Sequence, residues 1–165
     1  MSDQSAQLYN TTGIQINKDA CLVIVKTEWN ENSVGKLEAG CINVLDAHQV
    51  KHHTIIVPGA FEIPFAIQQY WLEHHSTLHQ PSAFIAIGCV IKGDTPHFDY
   101  VCKAVTDGVV QLNLQLPVPV IFGVLTVFNQ DQIDQRTGGV HGHKGEEAAI
   151  TALKMMALSQ QFPHK

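Results

Sequence analysis

The stretch AFIAIGCVIKGDTPH, residues 83–97, decides how the chain folds. Its first part, Ala83 to Ile91, is apolar almost throughout and too brief for a substantial helix, and Lys92-Gly93-Asp94-Thr95-Pro96 ends it. This predicts a strand buried on both faces, then a turn, then a helix. Val101, Val105, Val109, Leu112 and Leu116 recur at helical spacing and write that helix out. A strand with two apolar faces needs cover above and below, the condition of a parallel sheet lying between helices.

The same alternation extends both ways. CLVIVK (21–26) reads as a strand, and Val34, Leu37, Cys41, Ile42 and Leu45 mark a helix from about Asn32 to Ala47. HTIIV (53–57) reads as a second buried strand; Pro58-Gly59 punctuates it, and Pro64 suits the first turn of the next helix. After the central stretch, Pro117 precedes a fourth strand, Val118 to Thr126, and a short helix from Asn129 to Arg136 is stopped by Thr137-Gly138-Gly139. A last helix starts near Gly145. The order predicts an α/β fold of three layers, α/β/α, around a four-stranded parallel sheet, with residues 14–165 as one domain. The polar segment 1–13 is expected to be flexible or to add an edge strand.

Composition narrows the function classes. In 165 residues, 45% are hydrophobic and 15% charged, enough apolar material for a core. Ten Lys and Arg stand against fifteen Asp and Glu, and Arg136 is the only arginine. A nucleic-acid partner would need clustered cations, so none is expected. The apolar runs are too short to span a bilayer, and the polar start has no basic segment followed by an apolar one. A cytoplasmic protein without a membrane partner is therefore expected. Cys21, Cys41, Cys89 and Cys102 form no CxxC pair and sit in apolar surroundings, which predicts buried free thiols.

A parallel sheet gathers the loops after its strands at one edge, where ligands bind. Those loops carry Trp29-Asn30, Pro58-Gly59-Ala60-Phe61-Glu62, Lys92 to His97, and Thr126 to Asn129. Trp29 either caps the core or stacks on a flat heterocycle. Glu62 either favours a helix start or pairs with ring N–H donors. Thr95-Pro96 suits a helix cap, but capping leaves Gly93 and His97 unexplained. A histidine in the first turn of a helix at a ligand rim can move protons near neutral pH. Arg136 is open to a surface ion pair or, with Lys144 and Lys92, to a phosphate pocket. His74, His75 and His79 sit at a helix C-terminus without an apparent third metal ligand, and His141 and His143 flank Gly142 in what reads as an exposed turn.

Four segments, VPGAFEIPFA (57–66), IGCVIKGDTPHFDYV (87–101), PVIFGVLT (119–126) and QRTGGVHGHKGEEAA (135–149), together with Glu28-Trp29-Asn30, resemble the 6,7-dimethyl-8-ribityllumazine synthase family in its own order. The resemblance implies a flavodoxin-like subunit. It also implies a reaction without metal or organic cofactor: 5-amino-6-(D-ribitylamino)uracil condenses with 3,4-dihydroxy-2-butanone 4-phosphate to give the lumazine, phosphate and water. By the same resemblance, Trp29 stacks on the uracil ring. Ala60, Phe61 and Glu62, with Cys89, Val90 and Ile91, line the ribitylaminouracil site, and Phe122 also binds that substrate. Asp94 and Thr95 surround the butanone phosphate, Arg136 binds its phosphate with Lys144 nearby, and His97 donates the proton. Trp29 stands where Phe is usual, Asp94 where Glu is common, and Gln135 where some relatives have Glu.

Family members assemble as pentamers, some packed into icosahedral shells, with sites between subunits. A homo-oligomer is thus implied in which Phe122, Arg136 and Lys144 serve a neighbour's Trp29, Glu62 and His97, with riboflavin synthase as a possible further partner. The alternatives are a non-catalytic flavin- or lumazine-binding protein of the same fold and a structural shell protein with a vestigial site. A pure binder has no use for His97 or for an arginine-lined phosphate pocket.

Overall fold

A computed structural model of the chain describes residues 9–162. The four apolar runs become strands β1 (Cys21–Thr27), β2 (Lys51–Val57), β3 (Ala83–Ile91) and β4 (Val120–Val127), paired in parallel in the order β2-β1-β3-β4. Between and after them run α1 (Glu31–Ala47), α2 (Ile63–His74), α3 (His97–Gln115), the short α4 (Gln130–Asp134) and α5 (Lys144–Ser159). A single 3₁₀ turn, Ala60–Glu62, leads into α2.

Period-two alternation along the strands divides the core. Leu22, Ile24, Ile85 and Ile87 meet Leu37, Cys41 and Leu45 of α1 and Ala149 and Leu153 of α5. Val23, Val25, Phe84 and Ala86 face the other way, onto Ile63 and Ile67 of α2 and Val105 and Val109 of α3. The three predicted layers are therefore present.

Four expectations need correction. The second strand is not buried: β2 is an edge strand with only Val57 inside, and Ile56 is 57% exposed. An outer strand has no sheet neighbour on one side, so its apolar letters do not imply burial. Thr137-Gly138-Gly139 does more than stop a helix; it forms β5 (Thr137–Gly139), which pairs antiparallel with β6 (Gly142–His143). Of the four free cysteines, Cys41 and Cys89 are buried but Cys21 and Cys102 only half-buried. Residues 9–13 form turn and coil, not an edge strand, and that expectation for residues 1–8 falls outside the described residues.

One polar group sits inside this frame. Lys26 lies in β1, nearly buried, with Nζ 2.7 Å from Glu38 Oε2 and 3.3 Å from Glu31 Oε1, while Thr54 Oγ1 donates to Glu38 Oε1 at 2.9 Å. These bonds tie the sheet to α1 below Trp29. The Glu38 hydrogen bond raises the Lys26 pKa above its ordinary value, against a smaller effect of burial. The lysine's contribution is thus fully present at neutral pH and, on the alkaline side, is lost as pH climbs through the raised lysine pKa. Lys26→Met leaves the Glu38 carboxylate without its cation and should cost about 3 kcal/mol in urea unfolding, with most of it regained in Lys26→Met/Glu38→Leu.

Candidate active site

The chain leaves β1 toward β2 on one side, whereas β3 lies on the other. Ligands of open α/β sheets bind at this kind of divergence, outside the carboxyl ends of the strands. A cleft of about 620 Å³ opens there. Thr27, Trp29 and Asn30 come to it from the end of β1, Pro58 to Glu62 from the loop after β2, and Cys89, Val90 and Ile91 from the end of β3. Gly93 and Thr95 with His97, Phe98 and Val101 of α3 complete its wall.

Nine of the expected residues therefore share one cavity: Trp29, Ala60, Phe61, Glu62, Cys89, Val90, Ile91, Thr95 and His97. Asp94 does not line it, although both its chain neighbours do. Phe122 and Lys144 line a separate depression of about 410 Å³ between β4 and α5, and Arg136 lines neither.

The local structure decides between the alternative readings of several residues. Trp29 is 74% exposed, so it does not cap the core and offers a bare aromatic plate at the mouth. Glu62 occupies the cap position of α2 but its side chain makes no capping bond, which leaves the carboxylate exposed at the cleft wall. The cap position of α3 is Pro96, and no side chain caps that helix, so Thr95 is not an N-cap. The start of α3, whose His97 and Phe98 line the cleft, thus lacks a side-chain acceptor for its first N–H groups, and a helix start favours negative charge. Gly93 has open space where a side chain would go, so nothing within the chain requires a glycine there. The bare backbone leaves room for a ligand. Cys89 lies buried in the wall with its thiol pKa pushed up to about 11 by burial.

The cations follow a different plan. Lys92 sits 5.3 Å from the centroid of the Phe128 ring, outside the cleft. Lys144 is paired with both carboxylate oxygens of Glu147, at 2.9 and 2.7 Å. Arg136 donates from Nη1 to the Gln132 carbonyl at 3.0 Å and has no carboxylate partner among the described residues, so the surface ion pair is not found. His141 is exposed as expected, but His143 is half-buried: it caps α5 by accepting from the Glu146 N–H at 3.4 Å. His74 and His75 bond back to the Tyr70 and Trp71 carbonyls, and no metal-holding cluster of three His, Cys, Asp or Glu residues occurs among the described residues.

The sequence model described as 6,7-dimethyl-8-ribityllumazine synthase matches residues 19–160 of the chain. The chain belongs to this family. A 6,7-dimethyl-8-ribityllumazine synthase of Porphyromonas gingivalis is 47% identical over 155 residues, 92% of this chain and 93% of that protein. One from Bacteroides fragilis is 48% identical over 136 residues, 81% and 92% of the two chains, and one from Parabacteroides distasonis 41% over 159, covering 94% and 96%. The family is one of enzymes of riboflavin biosynthesis, and the expected transferase class stands with it.

Phe98 and Val101 line the cleft of this synthase-family subunit without having been expected there from sequence, and Asn30, expected at this rim only as part of its loop, has a role the sequence did not show. Asn30 is the most informative. Its φ of 61° and ψ of 38° place it in the left-handed region, which Asn tolerates better than most residues. Its Nδ2 donates to the Cys89 carbonyl at 2.7 Å, while Thr27 Oγ1 donates to the Trp29 carbonyl at 3.1 Å. These two side-chain bonds add to backbone bonds from Glu28 N–H to the Val57 carbonyl and from Trp29 N–H to the Pro58 carbonyl in holding the loop that presents Trp29. The signal was an Asn directly before a helix, in the short turn after a strand. Asn30→Ala loses both the backbone tolerance and the hydrogen bond and should cost about 2 kcal/mol, against about 1 kcal/mol for Asn30→Gly, as read from urea midpoints.

Proposed function

We propose that this cleft is where 5-amino-6-(D-ribitylamino)uracil and 3,4-dihydroxy-2-butanone 4-phosphate condense to 6,7-dimethyl-8-ribityllumazine, phosphate and water. One observation carries the reading: an exposed tryptophan plate, a free carboxylate, the uncapped start of α3 and a histidine share one cavity in a chain of this family. Trp29 stacks on the pyrimidine, Glu62 and the ends of β3 hold the ribitylaminouracil, and Asp94 and Thr95 flank the phosphate substrate.

The reaction needs no protein nucleophile. The 5-amino nitrogen attacks the butanone carbonyl, and water leaves to form the imine. Loss of a carbon-bound proton then expels phosphate. The enol left at the hydroxyl-bearing carbon tautomerises to a new carbonyl, the ribitylamino nitrogen attacks it, and a second water leaves as the ring closes. Each step moves a proton, so a group that gives and takes protons between two positioned substrates suffices. His97, the first residue of α3 and on the cleft wall, is the group proposed for that work.

Arg136 lies outside the cleft and lacks a carboxylate partner among the described residues, and Phe122, 41% exposed, stands on the free edge of β4. These facts support a site completed by a neighbouring subunit, whose Phe122, Arg136 and Lys144 face this chain's Trp29, Glu62 and His97. Tyr100, Val110 and Leu114 leave an apolar stripe on α3, the last of them 82% exposed, which fits a pentamer's inner contacts. Assembly into a shell, a cytoplasmic location and transfer of the lumazine to riboflavin synthase complete the proposal.

Mixing the two substrates should produce lumazine absorbance and fluorescence well above the uncatalysed mixture; no gain over that background would end the proposal. His97→Ala should lower kcat by roughly 10²–10⁴-fold. Arg136→Ala should chiefly raise KM for the phosphate substrate. If the site spans two subunits, co-assembling these variants should restore about one site in four, assayed at limiting phosphate substrate, because some seams then join two intact halves. A site confined to one chain would recover nothing.

A further inference from the structure

We infer that His143 is a positioning residue for the phosphate-binding arm, acting through the seating of its ring on Gly40. This rests on the proposed phosphate role of Arg136 and names what holds that residue in place. The arm is the segment from Gln135 to Lys144, which carries both cations and folds back through β5 and β6. Its two limbs move together: the Lys144 N–H donates to the Arg136 carbonyl at 2.8 Å, the His141 N–H to the Gln135 carbonyl at 2.9 Å, and Thr137 pairs with His143 across the hairpin.

The arm meets the Tyr9 hydroxyl at Gly142, and its base rests on α1. A methyl group on residue 40 would overlap Cε1, Nδ1 and Nε2 of the His143 ring, so the ring lies directly on the helix backbone where only glycine leaves room. One turn toward the start of α1, a methyl on Gly145 would collide with the Leu37 carbonyl. The beginning of α5 is therefore pressed onto α1 at two successive levels. The His143 ring is also fixed from its own side, since it is the acceptor for the Glu146 N–H. Lys36 adds an outer tie to Asp134, 3.1 Å away, at the end of α4.

A rigid seat matters because the arm's tip is itself exposed and rich in glycine. Gly138 and Gly142 both adopt positive φ, 114° and 76°, and Val140 and His141 are exposed. An ångström of displacement in a substrate-positioning group can cost a large factor in catalysis, so the place of the Arg136 side chain depends on where His143 rests.

The test is a set of steady-state measurements on the assembled protein with each substrate varied in turn, together with thermal unfolding of every variant. Gly40→Ala displaces the ring and His143→Ala removes it; each should raise KM for the butanone phosphate about ten- to a hundredfold while KM for the ribitylaminouracil stays put. His143→Asn keeps a capping acceptor on a smaller side chain and should retain most of the wild-type KM. Because the clash needs both partners, Gly40→Ala/His143→Ala should be no worse than His143→Ala alone. Unchanged phosphate KM in both single variants, or an equal rise for both substrates, overturns the inference even if the unfolding temperature falls. Arg136→Ala, measured alongside, addresses the underlying reading by itself: a normal phosphate KM there sinks the role of Arg136, whatever the His143 and Gly40 variants do.

Discussion

The place of β1 between β2 and β3 governs what the rest of the molecule can do. Right-handed crossovers oblige the leftward connection, β1 to β2, to run over one face through α1, and the rightward ones to run over the other through α2 and α3. The loops leaving β1 and β3 must then diverge, and no helix can cover the gap. Into that gap the sequence puts Trp29 from one side and the end of β3 from the other, and the Asn30 side chain spans them by reaching the Cys89 carbonyl. Without the switch of direction there would be no cleft, and the bridge ties its two sides together.

Below and beside the cleft, charge is used sparingly and mostly in pairs. Lys26 is matched by Glu38 and Glu31 inside the subunit, while Lys36, Lys103 and Lys144 each have an acidic partner nearer the surface. Exposed pairs of this kind contribute little to stability. Their effect is to commit most of the lysines they involve, and Arg136 is conspicuous because, among the described residues, its guanidinium has a backbone carbonyl and no carboxylate as partner. A guanidinium can clasp a phosphate through two parallel N–H bonds, a geometry lysine lacks.

The layers were legible in the sequence because buried strands and amphipathic helices leave different periods. Ala83–Ile91 has the same bounds in sequence and structure, and the start of α1 moves by one residue, from Asn32 to Glu31. Edge against centre was not legible: HTIIV and AFIAIGCVI look alike, but the former has no strand on its outer side. The β5–β6 hairpin escaped because three glycines in Thr137–Gly142 give no alternation to read. At the site, loop positions after strands pointed to the right residues, since topology alone collects them. What periodicity could not convey was the left-handed turn at Asn30 or the seat of His143 on Gly40. Both depend on contacts between segments far apart in the chain.

The burial of Cys89 has a chemical corollary. Expelling phosphate from an imine-bearing carbon chain leaves a conjugated, electron-poor fragment, to which sulfur anions readily add. A thiol with its pKa near 11 holds on the order of 10⁻⁴ of its population as thiolate at neutral pH, and the anion is the nucleophilic form. On the proposed reaction, the wall therefore sets a polarisable atom beside the substrates without offering them a trap. Apolar packing around that sulfur would then act as insulation for a transient electrophile.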